Sequence, residues 1–176
     1  NKNIKSINLR YFNPAGAHES AHIGEASKNP PTNLVPVITE TAIGKRDSLT
    51  VFGNDYDTRD GSCIRDYIHV MDLANAHTSA LQYLLEGRNE KNCEVFNLGI
   101  GEGVTVLEAI TAFEKVSGKK LNYTLGDRRP GDVVAIYANM DKAKSKLKWE
   151  CKYDIEDIMR TAWKWEMRRT ESVLQS

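Results

Sequence analysis

Two arginine-bearing segments mark where this sequence could do chemistry. Arg65-Asp66-Tyr67 opens the apolar, β-branched run Ile64 to Val70, so Arg65 and Tyr67 point the same way off an extended segment. They present one cation and one ring to whatever occupies that face. Arg128-Arg129-Pro130-Gly131-Asp132 follows a second strand-like run, Leu121 to Leu125. Pro130 fixes one turn position and Gly131 relieves another, which holds the arginines on a defined loop. A guanidinium donates two parallel hydrogen bonds, the geometry that a phosphate accepts. Spacing alone leaves two readings of this loop open: a phosphate clamp and a solvated surface turn.

Other chemistries lack their residues. The nearest approach to a dinucleotide-binding loop is Gly99-Ile100-Gly101-Glu102-Gly103, whose third glycine comes one residue early because Val104 follows it. A glycine-rich turn leading into a helix is the default there. No Tyr-x-x-x-Lys pair occurs: Tyr83, Tyr123 and Tyr137 have Gly87, Asp127 and Asp141 at the fourth place. That pair would let a lysine lower a tyrosine's pKa for proton transfer. His18 and His22 have metal-ligand spacing but no third ligand, and read as loop histidines. His69 and His77 read as packing or hydrogen-bonding residues, and Trp149, Trp163 and Trp165 as packing. No catalytic residue and no metal site is assigned within the chain.

Bulk properties narrow the partners. Lys and Arg number 24 and so do Asp and Glu, which argues against nucleic acid and anionic lipid as targets. The basic clusters Lys142 to Lys148 and Arg168-Arg169 read as solvated helix faces. No apolar run approaches the ~20 residues of a membrane span. Cys63, Cys93 and Cys151 lie far apart without a CxxC, which fits free thiols in a reducing, cytoplasmic setting. A length of 176 residues suits one sizeable core. The chain opens without Met inside a strand-like run, so residues 1–176 are expected to be a portion of a longer protein.

The positioning elements follow from periodicity. Ile4 to Phe12 alternates as a strand, and Asn13-Pro14-Ala15-Gly16 should end it. His18 to Thr32 reads as an ordered loop or lid. A helix is expected from Val35 to Gly44, with strands at Leu49–Phe52, Ile64–Val70, Glu94–Leu98 and Leu121–Leu125. Asp72 should cap a helix to Gly87 that buries Leu73, Ala76, Ala80, Leu81 and Leu84. Thr105-x-x-Glu108 is a capping box for a helix to Gly118. Asp141 and Asp154 should cap two C-terminal helices. Strands alternating with helices give an α/β class.

Taken in order, several motifs converge on one family. Arg10-Tyr-Phe-Asn-Pro-Ala-Gly16, Asn33-Leu34-Val-Pro36, Phe52-Gly-Asn-Asp-Tyr56, Asp60-Gly61, Arg65 to Leu73, Phe96-Asn-Leu-Gly99 and Arg128 to Asp132 resemble the UDP-glucose 4-epimerase family of the extended short-chain dehydrogenase/reductases. The resemblance spans nearly the whole chain and corresponds to the family's C-terminal half. It implies the substrate-binding part of the fold, contributing strands to a Rossmann-type sheet whose N-terminal, NAD-binding half lies elsewhere. It further implies interconversion of UDP-galactose and UDP-glucose through a 4-keto intermediate, in galactose metabolism, by a homodimer when full length. This portion alone would be inactive.

Residue roles come with that resemblance. Phe12 would lie against the nicotinamide of NAD, and Asn13 would meet the diphosphate side. Asn33 and Leu34 would contact the nucleotide, Thr50, Val51 and Phe52 would line the uracil, and Val106 would pack nearby. Arg65 and Arg129 would clamp the diphosphate, Tyr67 would support them, and Asp132 would hold the ribose. Ile136 would stand beside the sugar, where a large residue is associated with rejecting N-acetylated sugars. Thr32 and Pro130 depart from the family pattern. Two alternatives stay open: an epimerase for a UDP-N-acetylhexosamine or UDP-uronate, and a non-catalytic nucleotide-sugar-binding module.

Overall fold

The structure, a computed structural model, describes residues 4–174. From the N-terminus the elements are β1 (Ser6–Tyr11), β2 (Asn13–Ala15), α1 (Leu34–Ala42), β3 (Leu49–Phe52), β4 (Ile64–Arg65), β5 (Tyr67–His69), α2 (Val70–Leu85), β6 (Cys93–Leu98), β7 (Val104–Thr105), α3 (Val106–Ser117), β8 (Tyr123–Gly126), a π-helical turn (Ala143–Leu147) and α4 (Ile155–Leu174). The α/β class expected from the alternation is what forms.

Among the described residues the strands pair two by two. Three pairs are parallel, β1 with β6, β2 with β5 and β3 with β8; β4 and β7 are antiparallel. Parallel pairs need crossovers, and α2 and α3 lie in two of them. One core gathers Val35 and Ile38 of α1, Leu49 and Val51 of β3, Ile110 and Phe113 of α3, and Ile158, Met159 and Trp163 of α4. A second lies under β1, β6 and α2, around Ile68, Tyr83, Phe96, Leu98 and Trp149.

Helix α3 matches its sequence signature. Thr105 Oγ1 accepts from the Glu108 N–H at 3.0 Å, the Glu108 carboxylate accepts from the Thr105 N–H at 2.9 Å, and Gly118 closes the helix at φ +68°. Asp154 also caps as expected, accepting from the Asp157 N–H at 2.9 Å.

Five expectations need correction. Asn13-Pro14-Ala15 does not simply end a strand; it forms β2, because the chain turns at Phe12 and takes β5 as a new partner. Ile64 to Val70 is not one strand but two. At Asp66 the side chain turns inward to collect amide protons, and the segment leaves β7 for β2. Asp72 is not the cap of α2. His69 is, its Nδ1 accepting from the Met71 N–H at 3.1 Å, while Asp72 is wholly buried and binds the Lys152 and Tyr153 N–H groups. On that helix Ala76 and Ala80 are buried as expected, but Leu81 is exposed and Tyr83 is buried instead. Asp141 lies inside a helical turn, and the Asn139 side chain accepts its N–H at 3.1 Å.

Candidate functional site

A cleft of about 620 Å³ opens over the first core. Each wall has a local cause. Helix α1 begins after Asn33, whose side chain makes no capping bond and lines the cleft beside Leu34. The helix ends in a Schellman turn: the Gly44 N–H donates to the Thr41 carbonyl and the Lys45 N–H to the Glu40 carbonyl. That fold-back carries Arg46 to the cleft, where it binds Glu40 at 2.6 Å and the Pro31 carbonyl at 2.9 Å. Strand β3 alternates, so Leu49 and Val51 are buried while Thr50 and Phe52 are exposed.

Arg65 and Tyr67 reach the cleft from β4 and β5, one on each side of Asp66. Arg65 is held in place: Nη1 donates to the Ile64 and Val133 carbonyls at 2.8 and 2.9 Å, and Nη2 to Asp132 at 3.2 Å. Arg129 grips the same carboxylate through Nε at 2.9 Å, with its guanidinium 4.8 Å from the centre of the Phe52 ring. Asp132 therefore bridges two guanidinia that sequence places 64 residues apart. On the other side, Asn13 is fixed by its Nδ2 donating to the Asp66 carbonyl at 3.1 Å.

The charged side chains lining the cleft are Arg46, Arg65, Arg129 and Asp132; Arg46 is already paired with Glu40, so Arg65 and Arg129 against Asp132 leave an excess of one positive charge. A chain of zero net charge thus concentrates positive charge in one concave place. Burial pushes the Tyr67 phenol's pKa up, and the pull of Arg65 and Arg129 does not reverse this, so the phenol stays a neutral hydrogen-bonding group. Burial likewise raises the Cys63 thiol against the pull of Arg65, which leaves it protonated and a poor nucleophile. The arrangement can hold a doubly charged phosphate ester by hydrogen bonds and has no activated nucleophile among its cysteines.

Of the residues predicted from sequence, Phe12, Asn13, Asn33, Leu34, Thr50, Phe52, Arg65, Tyr67, Val106, Arg129 and Asp132 line this one cleft. Val51 and Ile136 do not. Val51 is 1 % exposed with its side chain in the core, and Ile136 is exposed beside β4. Sequence reasoning did not single out Arg46; the Schellman turn that redirects it depends on Gly44, at φ +86°. The glycine turn at Gly99–Gly103 faces a protein carboxylate: the Ile100 and Gly101 N–H groups donate to Asp66 at 2.7 and 3.0 Å. A side chain at Gly99 would collide with that carboxylate. Among the described residues no group of His, Cys, Asp and Glu could hold a metal ion, and no helix is long and apolar enough to cross a membrane.

A family model described as GDP-mannose 4,6 dehydratase matches residues 1–162. The chain belongs to this family. Similar curated relatives are UDP-glucose 4-epimerase 1 of Oryza sativa, 51 % identical over 93 % of this chain and 46 % of its own length, and UDP-glucose 4-epimerase 2 of Arabidopsis thaliana, 51 % identical over 92 % and 45 %. A similar solved structure is the UDP-glucose 4-epimerase of Stenotrophomonas maltophila with bound NAD and formylated UDP-arabinopyranose. It superposes with a TM-score of 0.92 at 42 % identity over 96 % of this chain and 49 % of that one. Another, from Bifidobacterium longum with NAD+ and UDP, gives 0.88 at 41 % over 94 % and 48 %. The fold is thus that of part of the extended short-chain dehydrogenase/reductase architecture. The chain spans about half the length of the relatives it matches.

Proposed function

We propose that residues 1–176 are the UDP-sugar-binding, C-terminal portion of an NAD-dependent UDP-glucose 4-epimerase, with the NAD-binding domain on the preceding part of the protein. The observation that carries the reading is the cleft in which Asn13, Asn33, Arg65, Arg129 and Asp132 converge, with guanidinium donors in excess. A UDP-sugar diphosphate carries two negative charges and accepts the paired bonds that guanidinia donate. Arg65 and Arg129 are assigned the diphosphate and Asp132 the ribose, to which it would turn from its present bridge between them. Asn13 contacts the diphosphate side. Asn33 and Leu34 meet the nucleotide, Thr50 to Phe52 the uracil, Val51 through its backbone, and Val106 packs nearby. Ile136 is assigned to the sugar end, a wall completed by the rest of the protein.

Half-buried Phe12, on the same cleft, suits the flat face of a nicotinamide. NAD, when bound, supplies a reversible hydride acceptor. The residues of this chain hold the nucleotide. Each charge-assisted hydrogen bond contributes about 1.5–3 kcal/mol net, so two arginines can anchor the nucleotide while the sugar stays free to turn over. The binding of NAD and UDP-sugar by the relatives supports this assignment. We further infer a homodimeric, cytoplasmic enzyme of galactose metabolism.

The test is product analysis with the full protein that contains this chain. UDP-galactose should come to equilibrium with UDP-glucose. Conversion of UDP-glucuronate or UDP-N-acetylgalactosamine alone would move the assignment to a sibling epimerase, and UDP binding without any conversion would make it a binding module.

A further inference from the structure

We propose that Arg128 is a positioning residue for the anchor arginine beside it, clasped by Tyr56 and Asp55 so that Arg129 is delivered to the cleft. This rests on the nucleotide-binding reading above. Arg128 and Arg129 are adjacent, yet they stack on different rings. The Arg128 guanidinium lies 4.2 Å from the centre of the Tyr56 ring; that of Arg129 lies 4.8 Å from Phe52. Arg128 does not line the cleft and Arg129 does. The loop between β8 and Asp132 has no regular structure of its own, so its path depends on what pins it.

Three contacts pin it at Arg128. Nε donates to the Asp55 carboxylate at 2.7 Å, Nη2 donates to the Asp55 carbonyl at 2.6 Å, and the guanidinium face rests on Tyr56. An exposed ion pair by itself adds little. Here the pair is one arm of a three-point grip on a planar group, which fixes orientation as well as distance. The gripping surface is itself rigid. Tyr56 is 5 % exposed, its N–H donates to the Gly61 carbonyl at 2.9 Å, and the Gly53 N–H donates to the Gly126 carbonyl at 2.8 Å, tying this turn to β8. Gly53 has φ +79°, and any side chain there would collide with the Tyr56 ring and press on Arg128. The turn is therefore shaped to admit that ring and that arginine together.

The Tyr56 hydroxyl is buried without a hydrogen-bond partner. It adds nothing to the clasp, so the ring alone is the working part. That makes the proposal separable from a simple packing role.

The experiment measures UDP binding by calorimetry, with kcat, KM and Tm, on the full protein and on Arg128→Ala, Arg128→Lys, Tyr56→Phe and Tyr56→Leu. Losing a partly exposed cation–π contact and its ion pair should weaken UDP binding by roughly 3- to 10-fold. KM should rise in step while kcat holds. Arg128→Lys should fall between, since an ammonium keeps the charge without the planar fork. Tyr56→Phe should bind like wild type, and Tyr56→Leu like Arg128→Ala. Unchanged binding in Arg128→Ala overturns the clasp. So does Tyr56→Phe behaving like Tyr56→Leu, or kcat and Tm falling together with affinity. A wild-type protein that does not bind UDP sinks the nucleotide reading and the clasp together, whereas wild-type binding with an indifferent Arg128→Ala sinks the clasp alone.

Discussion

Within ten residues, from Cys63 to Asp72, the chain serves two regions by turning side chains to opposite sides. Arg65 and Tyr67 face the cleft. Asp66, His69 and Asp72 face inward, are wholly buried, and hold loops together. Asp66 accepts the N–H groups of Ile100, Gly101 and Ala138; Asp72 accepts those of Lys152 and Tyr153. Every acceptor on the inner side is matched to donors of this chain. On the cleft side, by contrast, two arginines share one aspartate and leave N–H groups over for a ligand. The difference teaches that charged residues in one short segment need not share a purpose. A fully partnered carboxylate is scaffold; an excess of donors around a cavity is a binding site.

The largest expected effect breaks the inner side. Asp66→Ala leaves three buried backbone N–H groups without an acceptor and should cost about 3–5 kcal/mol of stability, read from urea unfolding. Asp66→Asn keeps one acceptor oxygen and should cost less. If Asp66→Ala unfolded like wild type but lost UDP affinity, the division between scaffold and cleft would be wrong. Next comes the cleft side. Arg129→Ala should weaken UDP binding by about 1.5–3 kcal/mol by calorimetry with little change in unfolding midpoint. It also frees Asp132 to face the diphosphate with only Arg65 opposing it, so the loss should grow as salt is lowered. An Arg129→Ala protein with unchanged UDP affinity would remove that residue from the anchor.

The same contrast explains what the sequence let one read. The capping box at Thr105, the strand Leu49–Phe52 and helix α1 are governed by neighbours a few residues away, and they form as the pattern predicts. The cleft residues were legible because their motifs are short and ordered along the chain. The inner side was not legible. Asp72 has the residue type and position of a helix cap, but its partners are 80 and 81 residues distant, so nothing local could assign them. The break at Asp66 has the same origin: its donors lie 34, 35 and 72 residues away. Arg46 was missed because a turn, not a periodic element, aims it. Long-range partners decide where buried carboxylates go, and single-residue propensity does not see them.

The smallest expected effect is also on the inner side, at His69, and it concerns pH. The His69 Nδ1 accepts from the Met71 N–H, so the proton sits on Nε2, which donates to Thr161 Oγ1 at 3.0 Å. Thr161 Oγ1 in turn accepts the Ala17 N–H and donates to the Asp157 carbonyl, and a second imidazole proton would have to go on Nδ1, where it would face the Met71 N–H, another donor. The Tyr153 ring stacks at 4.3 Å. Burial lowers the His69 pKa below its ordinary value of 6.5, outweighing the opposing pull of Asp72, Asp157 and Glu19. With the folded value depressed, the unfolded chain binds the extra proton first. The contribution is therefore fully present above about pH 6.5 and is lost as pH falls toward the folded value. One proton sets the ceiling, about 1.4 kcal/mol per pH unit. Unfolding free energy between pH 8 and 5 should drop less in His69→Gln than in wild type, because the amide can keep one bond and does not titrate. Parallel pH curves for the two proteins would show that the acid sensitivity lies elsewhere.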